Sequence, residues 1–394
     1  MTDNNENKVL NVPPLRFPEF SGEWDSFKLV ELGKFIGGGT PSSSNLSFWT
    51  GSIPWISSSD IKEDNINNIS ISRYITEEAI EKSATKYCPA PVILIVSRVG
   101  VGKVALSHTS LCTSQDFCNI IEIKCHPVFL SYNLLRTMKR KSREVQGTSI
   151  KGITSDELQK MRVFIPKNKD EQNKISNLLT LLDERIATQN KIIEDLKKLK
   201  SAIIHRYYSS QTNMIPLSEL LKQCSDRNRS GSDLQVLSVS NKYGFIAQSD
   251  QFEDREVASD DTSNYKVVKK GMFAYNPARI NVGSIALYEM DGNGIVSPMY
   301  VCFTTKSELL PSYLKYYFAS QTFKHEMYKR LEGSVRLCLT FEELCNIEIH
   351  LPSIEQQKNI SKYISKIENN ISLVDSIFSK YQQQRRYLLS QMFI

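Results

Sequence analysis

A few short motifs have residue types that could hold a phosphate or a nucleotide. The run Gly100–Lys103 is similar to the end of a phosphate-binding loop, in which backbone N–H groups and a lysine hold phosphates. A complete loop has an earlier glycine where this chain has Ser97, and a Ser or Thr where it has Val104. Gly37–Thr40 is rich in glycine but lacks the spacing of a dinucleotide-binding motif. These motifs therefore predict no nucleotide-binding site.

Chemistry on a DNA base needs other motifs. An amino-methyltransferase holds a flipped base with an Asp/Asn-Pro-Pro-aromatic turn. The run Asn276–Arg279 begins in this way but lacks the second proline and the aromatic residue. No nuclease arrangement of paired carboxylates with a lysine stands out, and no Ser or Cys has the signature of a nucleophile around it. We therefore expect no catalytic residues and favour a binding protein.

The cysteines do not form a metal-binding pattern. Zinc sites need ligands clustered at short spacing. No two cysteines have C-x-x-C spacing, and of the 5 histidines only His126 adjoins a cysteine, Cys125. The 8 cysteines are Cys88, Cys112, Cys118, Cys125, Cys224, Cys302, Cys338 and Cys345. We expect buried free thiols and no metal.

Composition indicates a globular protein of two or three compact units, because the chain has 394 residues and 40% hydrophobic content. Its longest apolar stretches, such as Val92–Val96, are far shorter than the roughly 18 residues that span a bilayer. The polar start, Met1–Lys8, has no export signal, so we expect a cytoplasmic protein. The net charge of +6 is small for a protein that binds DNA alone. If the chain reads DNA, partners must supply much of the attraction for phosphate.

The second half of the chain repeats the first. Strong matches pair Thr154–Leu158 with Thr340–Leu344, Ile165-Pro166 with Leu351-Pro352, and Asp170–Gln172 with Glu355–Gln357. Weaker matches pair Trp55–Ser59 with Gln235–Ser240, Arg98–Ala105 with Arg279–Ala286, and Phe129 and Tyr132 with Leu310 and Tyr313. Because internal repeats indicate repeated architecture, we predict two similar mixed α/β domains.

Each repeat ends in a heptad stripe, in which apolar residues step by 4 and 3. The first stripe comprises Ile175, Leu179, Leu182, Ile186, Ile193, Leu196 and Ile203, and the second Ile360, Ile364, Ile367, Ile371, Phe378 and Leu388. Neither stretch contains Pro or Gly, so both are predicted as long helices. A helix over residues 170–208 would be roughly 55–60 Å long.

The two stripes can cover each other if the helices pair. Since each helix follows its own domain, antiparallel pairing would put the domains at opposite ends of a rod. The fold class predicted is α+β, with two mixed domains at residues 1–166 and 210–352 and two long helices at 167–209 and 353–394 that form an antiparallel coiled coil. In the alternative, each amphipathic helix lies alone on its own domain.

Several segments together resemble the specificity subunits of type I restriction–modification systems. They are Pro14–Phe20 followed by Trp24 and Leu29, then Gly38–Ser42, Phe48–Ile61 and Leu351–Gln357. The resemblance covers essentially the whole chain, with these signatures in a fixed order. The first copy departs from the family's double-proline entry to the helix, because Ile165–Gln172 has a single proline and one extra residue.

The resemblance implies a specificity subunit with no catalytic residues, metal or cofactor of its own. Two target recognition domains would each read one half of an asymmetric, bipartite site in double-stranded DNA, and the helices would set the spacing. Two modification subunits would dock on the chain and methylate adenine with S-adenosylmethionine. Restriction subunits would join with ATP and Mg²⁺. Two other classes stay open: a coiled-coil scaffold unrelated to DNA, and a stand-alone DNA methyltransferase or nuclease.

The candidate DNA contacts are matched between the repeats. The loops Arg98–Lys103 and Arg279–Ser284 follow predicted strands, and glycines there permit close approach. Their candidate residues are Arg98, Lys103, Arg279, Asn281 and Ser284, and basic candidates on helices are Lys139, Arg140, Arg143, Lys329 and Arg330. The alternatives are a structural β-turn and a charged helix end that complements its dipole. Lys200 and Arg385 have equivalent heptad positions and would be solvated or contact a partner or DNA.

Overall fold

A computed structural model of the chain describes residues 10–146, 152–210, 212–229, 234–248, 262–333 and 337–394. It divides into two compact units. The first unit contains the chain up to Asn190 together with Ile377–Ile394, and the second is Lys191–Ser376. Each unit therefore combines the sheets of one repeat with part of both long helices.

The first unit contains two four-stranded sheets and a two-stranded one. Its strands are β1 (Asp25–Lys28), β2 (Lys34–Gly37), β3 (Ile53–Ile56), β4 (Arg73–Ile75), β5 (Tyr87–Cys88), β6 (Val92–Ile95), β7 (Val104–Ser107), β8 (Leu111–Thr113), β9 (Cys118–Ile121) and β10 (Arg162–Ile165). The strand orders are β2-β9-β6-β7, β4-β3-β8-β5 and β1-β10. Only β3 and β8 are parallel among these described pairs.

The second unit repeats this topology strand for strand. Its strands are β11 (Met214–Pro216), β12 (Leu221–Cys224), β13 (Val236–Ser240), β14 (Gly244–Ala247), β15 (Lys266–Val268), β16 (Phe273–Tyr275), β17 (Ile285–Leu287), β18 (Gly294–Val296), β19 (Val301–Thr305) and β20 (Glu348–His350). The orders are β12-β19-β16-β17, β14-β13-β18-β15 and β11-β20, and β13 runs parallel to β18. The predicted repeat of two mixed domains is confirmed.

Helices connect and cover these sheets. The first repeat has α1 (Glu77–Glu81), α2 (Pro127–Gln146) and α3 (Ser155–Lys160), followed by the long α4 (Lys169–Tyr208). The second has α5 (Leu217–Leu220), α6 (Pro311–Phe318), α7 (Gln321–Lys329) and α8 (Phe341–Cys345), followed by the long α9 (Ile354–Gln391). Thr154 and Thr340 cap α3 and α8 in the same way, with hydroxyls that accept from the N–H groups of Glu157 and Glu343.

The two long helices pair in antiparallel fashion, as predicted. In the first unit, Arg385 near the end of α9 donates to Asp183 in the first half of α4. In the second unit, Lys200 near the end of α4 donates to Glu368 in the first half of α9, at 3.0 Å. Early residues of each helix thus meet late residues of the other.

The heptad stripes are covered throughout. Ile175, Leu179, Leu182, Ile193, Ile360, Ile364 and Leu388 are buried, and Ile186, Leu196, Ile203, Ile367, Ile371 and Phe378 are half-buried. The covering is shared, because the sheet-packed α2 and α6 also contribute to the same clusters. Leu179 and Leu388 lie in one core with Phe129, and Ile364 lies in another with Tyr313. The helices therefore pair and also lie against the domains.

One predicted alignment is wrong by a few residues. We matched Phe129 and Tyr132 to Leu310 and Tyr313, but α2 begins at Pro127 and α6 at Pro311. The Tyr132 hydroxyl donates to Asp183 at 2.9 Å, and the Tyr316 hydroxyl donates to Glu368 at 2.9 Å. Tyr132 therefore corresponds to Tyr316, since loops of different length before the two helices shift the true register.

All eight cysteines are free thiols, four of them buried and four half-buried. Burial raises the pKa of Cys88, Cys125 and Cys302 to about 12, so these three thiols stay protonated and inert. Among the residues that the structure describes, no group of three His, Cys, Asp or Glu side chains could hold a metal ion. Within that same part of the chain, no helix is long and apolar enough to cross a bilayer.

Candidate nucleic-acid interface

The first candidate loop is the turn between β6 and β7. Gly100 and Gly102 have φ angles of 90° and 111°, a region that favours glycine. Arg98 is exposed at the start of this turn. Lys103 at its end is half-buried, and its ammonium donates to the carbonyl of Ser58 at 3.1 Å. Arg98 is therefore presented to solvent, whereas Lys103 ties the hairpin to the neighbouring sheet.

The matched loop of the second unit joins β16 to β17 through a short 3-10 helix, Ile280–Val282. Arg279 is exposed and Asn281 half-buried. Ser284 is buried, and its hydroxyl donates to the carbonyl of Val239 at 3.0 Å. The hydroxyl proton of Ser284 is therefore engaged inside the fold, and contact of this residue with DNA stays a prediction.

Lys103 and Ser284 make equivalent contacts. The sequence alignment places Ser57 and Ser59 opposite Ser238 and Ser240, so their acceptors, Ser58 and Val239, also correspond. Each hairpin is thus fixed to the adjacent strand by one side-chain hydrogen bond. The same loop position is therefore a lysine in one unit and a serine in the other, and in both units its side chain donates to a carbonyl of the adjacent strand or turn.

In the first unit the hairpin turn lies beside the basic end of α2. A Cβ atom placed on Gly102 would come within 3.1 Å of the Ser142 Cβ. The structure therefore packs this turn against the part of α2 that carries the predicted basic residues Lys139, Arg140 and Arg143. In the second unit the corresponding turn contacts α7, where the Tyr328 hydroxyl donates to the carbonyl of Asn281 at 3.4 Å.

The end of α2 lines a basic cavity of about 300 Å³ in the first unit. Its basic lining residues are Arg136, Lys139, Arg140, Arg143, Arg385 and Arg386, and its acidic residue is Asp64. Asp64 accepts from Lys139 at 2.7 Å. Burial, and then the nearby charge of Arg140, lower the pKa of Arg136. An excess of cations in a recess favours an anion such as a phosphate.

The counterpart in the second unit pairs both of its cations with one carboxylate on the same helix. Lys329 and Arg330 both donate to the carboxylate of Glu326, at 2.8 and 2.6 Å. These two hydrogen bonds hold the pKa of Glu326 below its usual range. The two cations were predicted to face DNA like those of α2, but they share one carboxylate on their own helix. Contact of Lys329 and Arg330 with DNA stays a prediction, as does the alternative of a charged helix end that complements its dipole.

A polar pocket of about 320 Å³ lies beside Arg279 in the second unit. Asn241, Asn276 and Gln248 contribute side-chain amides to its lining. Among the described residues, no donor reaches the buried Oε1 atom of Gln248, and a ligand could supply one. Amide side chains pair with adenine edges and arginine with guanine. Sequence reasoning missed these amides, although Asn241 and Asn276 follow directly on strands β13 and β16.

The first unit has a different arrangement on the sheet that corresponds to this pocket. The Arg73 guanidinium lies 4.5 Å from the centre of the Trp55 ring and donates to Ser57 at 2.7 Å and to Asp60. Trp49 packs edge-on against Trp55, with ring centres 5.1 Å apart. This cluster also escaped the sequence analysis. The two units therefore share a backbone plan and differ in the polar groups on it.

Lys200 and Arg385 each pair with an acid on the opposite long helix, a contact that we did not predict. Arg385 is buried and paired with Asp183, and Lys200 is paired with Glu368. Each acid also accepts from a tyrosine hydroxyl, Tyr132 or Tyr316. These two triads tie the long helices to each other and to the sheet-packed helices.

Comparison with known proteins shows which family model the sequence matches. The family described as type I restriction modification DNA specificity domain matches residues 21–198 and 230–377. The specificity subunit of type I restriction enzyme MjaIX from Methanocaldococcus jannaschii is 32% identical over 195 residues, 47% of this chain and 44% of that protein. The EcoR124I/EcoR124II specificity subunit from Escherichia coli is 34% identical over 192 residues, 47% of this chain and 46% of that protein. Both alignments thus cover less than half of the relative.

A solved structure extends the similarity of fold over nearly the whole chain. The S subunit of a type I restriction–modification system from M. genitalium superposes with a TM-score of 0.62. It is 17% identical in sequence and covers 97% of this chain and 99% of its own. At that identity the likeness concerns the fold.

Proposed function

Because the chain belongs to the family of type I restriction modification DNA specificity domains, we propose that it is the DNA-reading subunit of a type I restriction–modification complex. Each unit reads one half of a bipartite, asymmetric site in double-stranded DNA. The observation that carries the proposal is that the units share a topology and differ in the polar side chains beside the matched hairpins. Unlike side chains on like frames would read unlike half-sites.

In the second unit, base reading centres on Arg279 and the amide-lined pocket. Arg279 is exposed at the pocket mouth, where its guanidinium can reach a guanine edge. Asn276 and Gln248 supply donors and acceptors of the kind that pair with adenine. In the first unit, Arg98 and the basic end of α2 bind backbone phosphates, which fix position more than they specify sequence.

The long helices set the distance between the two half-sites and carry the partner subunits. Exposed apolar side chains on these helices, such as Leu181, Leu199 and Leu373, suit contacts with other proteins. Two modification subunits dock there and methylate adenine with S-adenosylmethionine, and restriction subunits add ATP- and Mg²⁺-dependent cleavage. The chain itself is not an enzyme, and the complex acts on DNA in the cytoplasm.

The test is co-expression with the modification partner, followed by mapping of methylated adenines across a genome. We expect one bipartite motif for the wild-type chain. Arg279→Ala should relax the base preference in one half only, because Arg279 belongs to one unit, and loss of a bidentate contact costs about 1–3 kcal/mol. Lys329→Ala is the matched control, since Lys329 is already paired with Glu326. Altered preference in both halves would contradict separate reading.

A further inference from the structure

In the first unit, residues 14–24 fill a groove between the start of α4 and the end of α9. The Leu15 N–H donates to the carbonyl of Gln391 at 2.9 Å. Arg16 makes a two-pronged contact with Glu171, at 2.7 and 2.8 Å, and Trp24 donates to the same carboxylate at 3.2 Å. We call this groove the seat of the first unit, and in it the carboxylate of Glu171 binds both Arg16 and Trp24.

The second unit has the same seat on the other ends of the two helices. Its register is fixed by Gln172 and Gln357, which both donate to the proline carbonyl before their helix, of Pro166 and Pro352, at 2.9 Å. In that register Glu171 corresponds to Gln356, Lys174 to Asn359, Leu178 to Tyr363, Gln391 to Arg206 and Met392 to Tyr207. The two seats therefore share a backbone and differ in chemistry.

The seat of the second unit is open where that of the first is filled. Glu171 and Met392 are 0% and 2% exposed, whereas Tyr363 and Tyr207 are 60% and 36% exposed. The open seat is a groove of about 670 Å³. The cause is chain length: α4 ends at Tyr208 and β11 begins at Met214, so there is no counterpart of the 14–24 segment to lie in it.

We propose that this groove receives an extended segment of a partner protein that carries an aromatic side chain and a carboxylate. The described lining residues include Arg206 and His350 and no Asp or Glu, so the charge suits an acidic segment. Gln356 lies where the first unit has Glu171. An arginine of the partner placed like Arg16 would therefore find no carboxylate to bind at this position. Tyr207 and Tyr363 present faces that suit aromatic or proline side chains. The inference goes beyond the proposed function, because it does not require DNA.

The test uses two fluorescent peptides with the sequence of residues 13–21, one native and one carrying Arg16→Glu, each titrated into the full-length chain by anisotropy. The acidic peptide should bind more tightly than the native one. The chain's own segment, tethered beside the first seat, excludes both peptides from it. Tyr363→Ala should weaken the acidic peptide about tenfold, as for a buried aromatic anchor. Tyr387→Ala, an exposed tyrosine of α9 in the other unit, should leave affinity unchanged.

A second variant makes the seat of the second unit like that of the first. Gln356→Glu restores the carboxylate that holds Arg16, so it should reverse the preference in favour of the native peptide. The proposal would be overturned if neither peptide bound to either protein, the wild-type chain or Gln356→Glu, while circular dichroism showed that both proteins are folded. Mapping of methylated adenines in the same variants separates the two ideas, since an intact motif with no peptide binding rejects the seat alone.

Discussion

At the scale of single residues, Arg279 and Ser284 show how two positions of one loop differ in exposure. Both follow β16 within six residues of each other, and both were candidates for DNA contact. Arg279 is exposed, but Ser284 is buried and bonded to Val239. A sequence pattern finds the loop, but it does not say which side chains turn inward, because that depends on the neighbouring strand β13.

Ser284→Ala should therefore affect stability and leave recognition unchanged. Removal of the hydroxyl leaves the Val239 carbonyl without this donor, which costs about 1–3 kcal/mol when the group is buried. Denaturant unfolding should show the loss, and the map of methylated adenines should keep the wild-type motif. A changed motif at unchanged stability would instead place Ser284 at the DNA interface.

His126 gives the first unit a dependence on pH. Burial lowers the pKa of its imidazole from 6.5, and its Nδ1 lies 3.0 Å from the Ser176 hydroxyl. Because the unfolded chain binds a proton more readily than the folded one, the neutral form's contribution is present above about pH 6.5 and is lost as pH falls through the lower, folded value. His126→Asn should thus show a shallower fall in melting temperature on acidification. Parallel pH profiles for the two proteins would refute this.

At the scale of elements, the two triads between α4 and α9 provide a matched experiment. Asp183 and Arg385 have side chains 5% and 7% exposed, whereas Glu368 and Lys200 are 34% and 30% exposed. Arg385→Met leaves a buried carboxylate without its partner and should cost about 3–5 kcal/mol. Lys200→Met at the equivalent position should cost under about 1 kcal/mol. Denaturant unfolding measures both losses. Equal losses of unfolding free energy in the two variants would contradict the idea that burial makes the Arg385 pair more costly to break than the Lys200 pair.

The long helices were predictable because a heptad stripe is a local pattern that no proline or glycine interrupts. Their partners were only partly predictable. The step of 4 and 3 residues indicates that Leu179 and Leu388 are buried. It does not reveal that Phe129 is one of the residues that pack in the same core. The same limit applies to Lys200 and Arg385, whose acids lie on the opposite helix, more than 160 residues away in the chain.

At the scale of the whole molecule, the repeat made the architecture predictable, and the divergence of its polar residues hid much of the site. Matched glycines and strands located both hairpins. The amide pocket of Asn241, Asn276 and Gln248 has no matching residues in the first half, where Arg73 stacks on Trp55 instead. A repeat reveals what two copies share, and the proposed half-site recognition would depend on what they do not share.

The proposed spacing role predicts the effect of a longer pair of helices. A heptad inserted after Asn190 and after Ser376 keeps both stripes in register and lengthens each helix by about 10 Å. Methylome maps should then show both half-sites intact, with a spacer about 3 base pairs longer at roughly 34 Å per ten base pairs. Insertion in α4 alone should abolish methylation, because the stripes no longer match. An unchanged spacer in the double insertion would contradict the role.

The residues that complete the first unit, Ile377–Ile394, are synthesised only after the whole of the second unit, Lys191–Ser376. Phe393 packs against Trp24 and Phe129, and Arg136 donates to the carbonyl of Ile394 at 2.6 Å. The first unit therefore lacks these residues while Lys191–Ser376 is translated. That translation takes roughly 10–40 s at bacterial elongation rates. The second unit, Lys191–Ser376, is continuous in sequence. The unit whose synthesis begins first is thus the last of the two to have all of its residues.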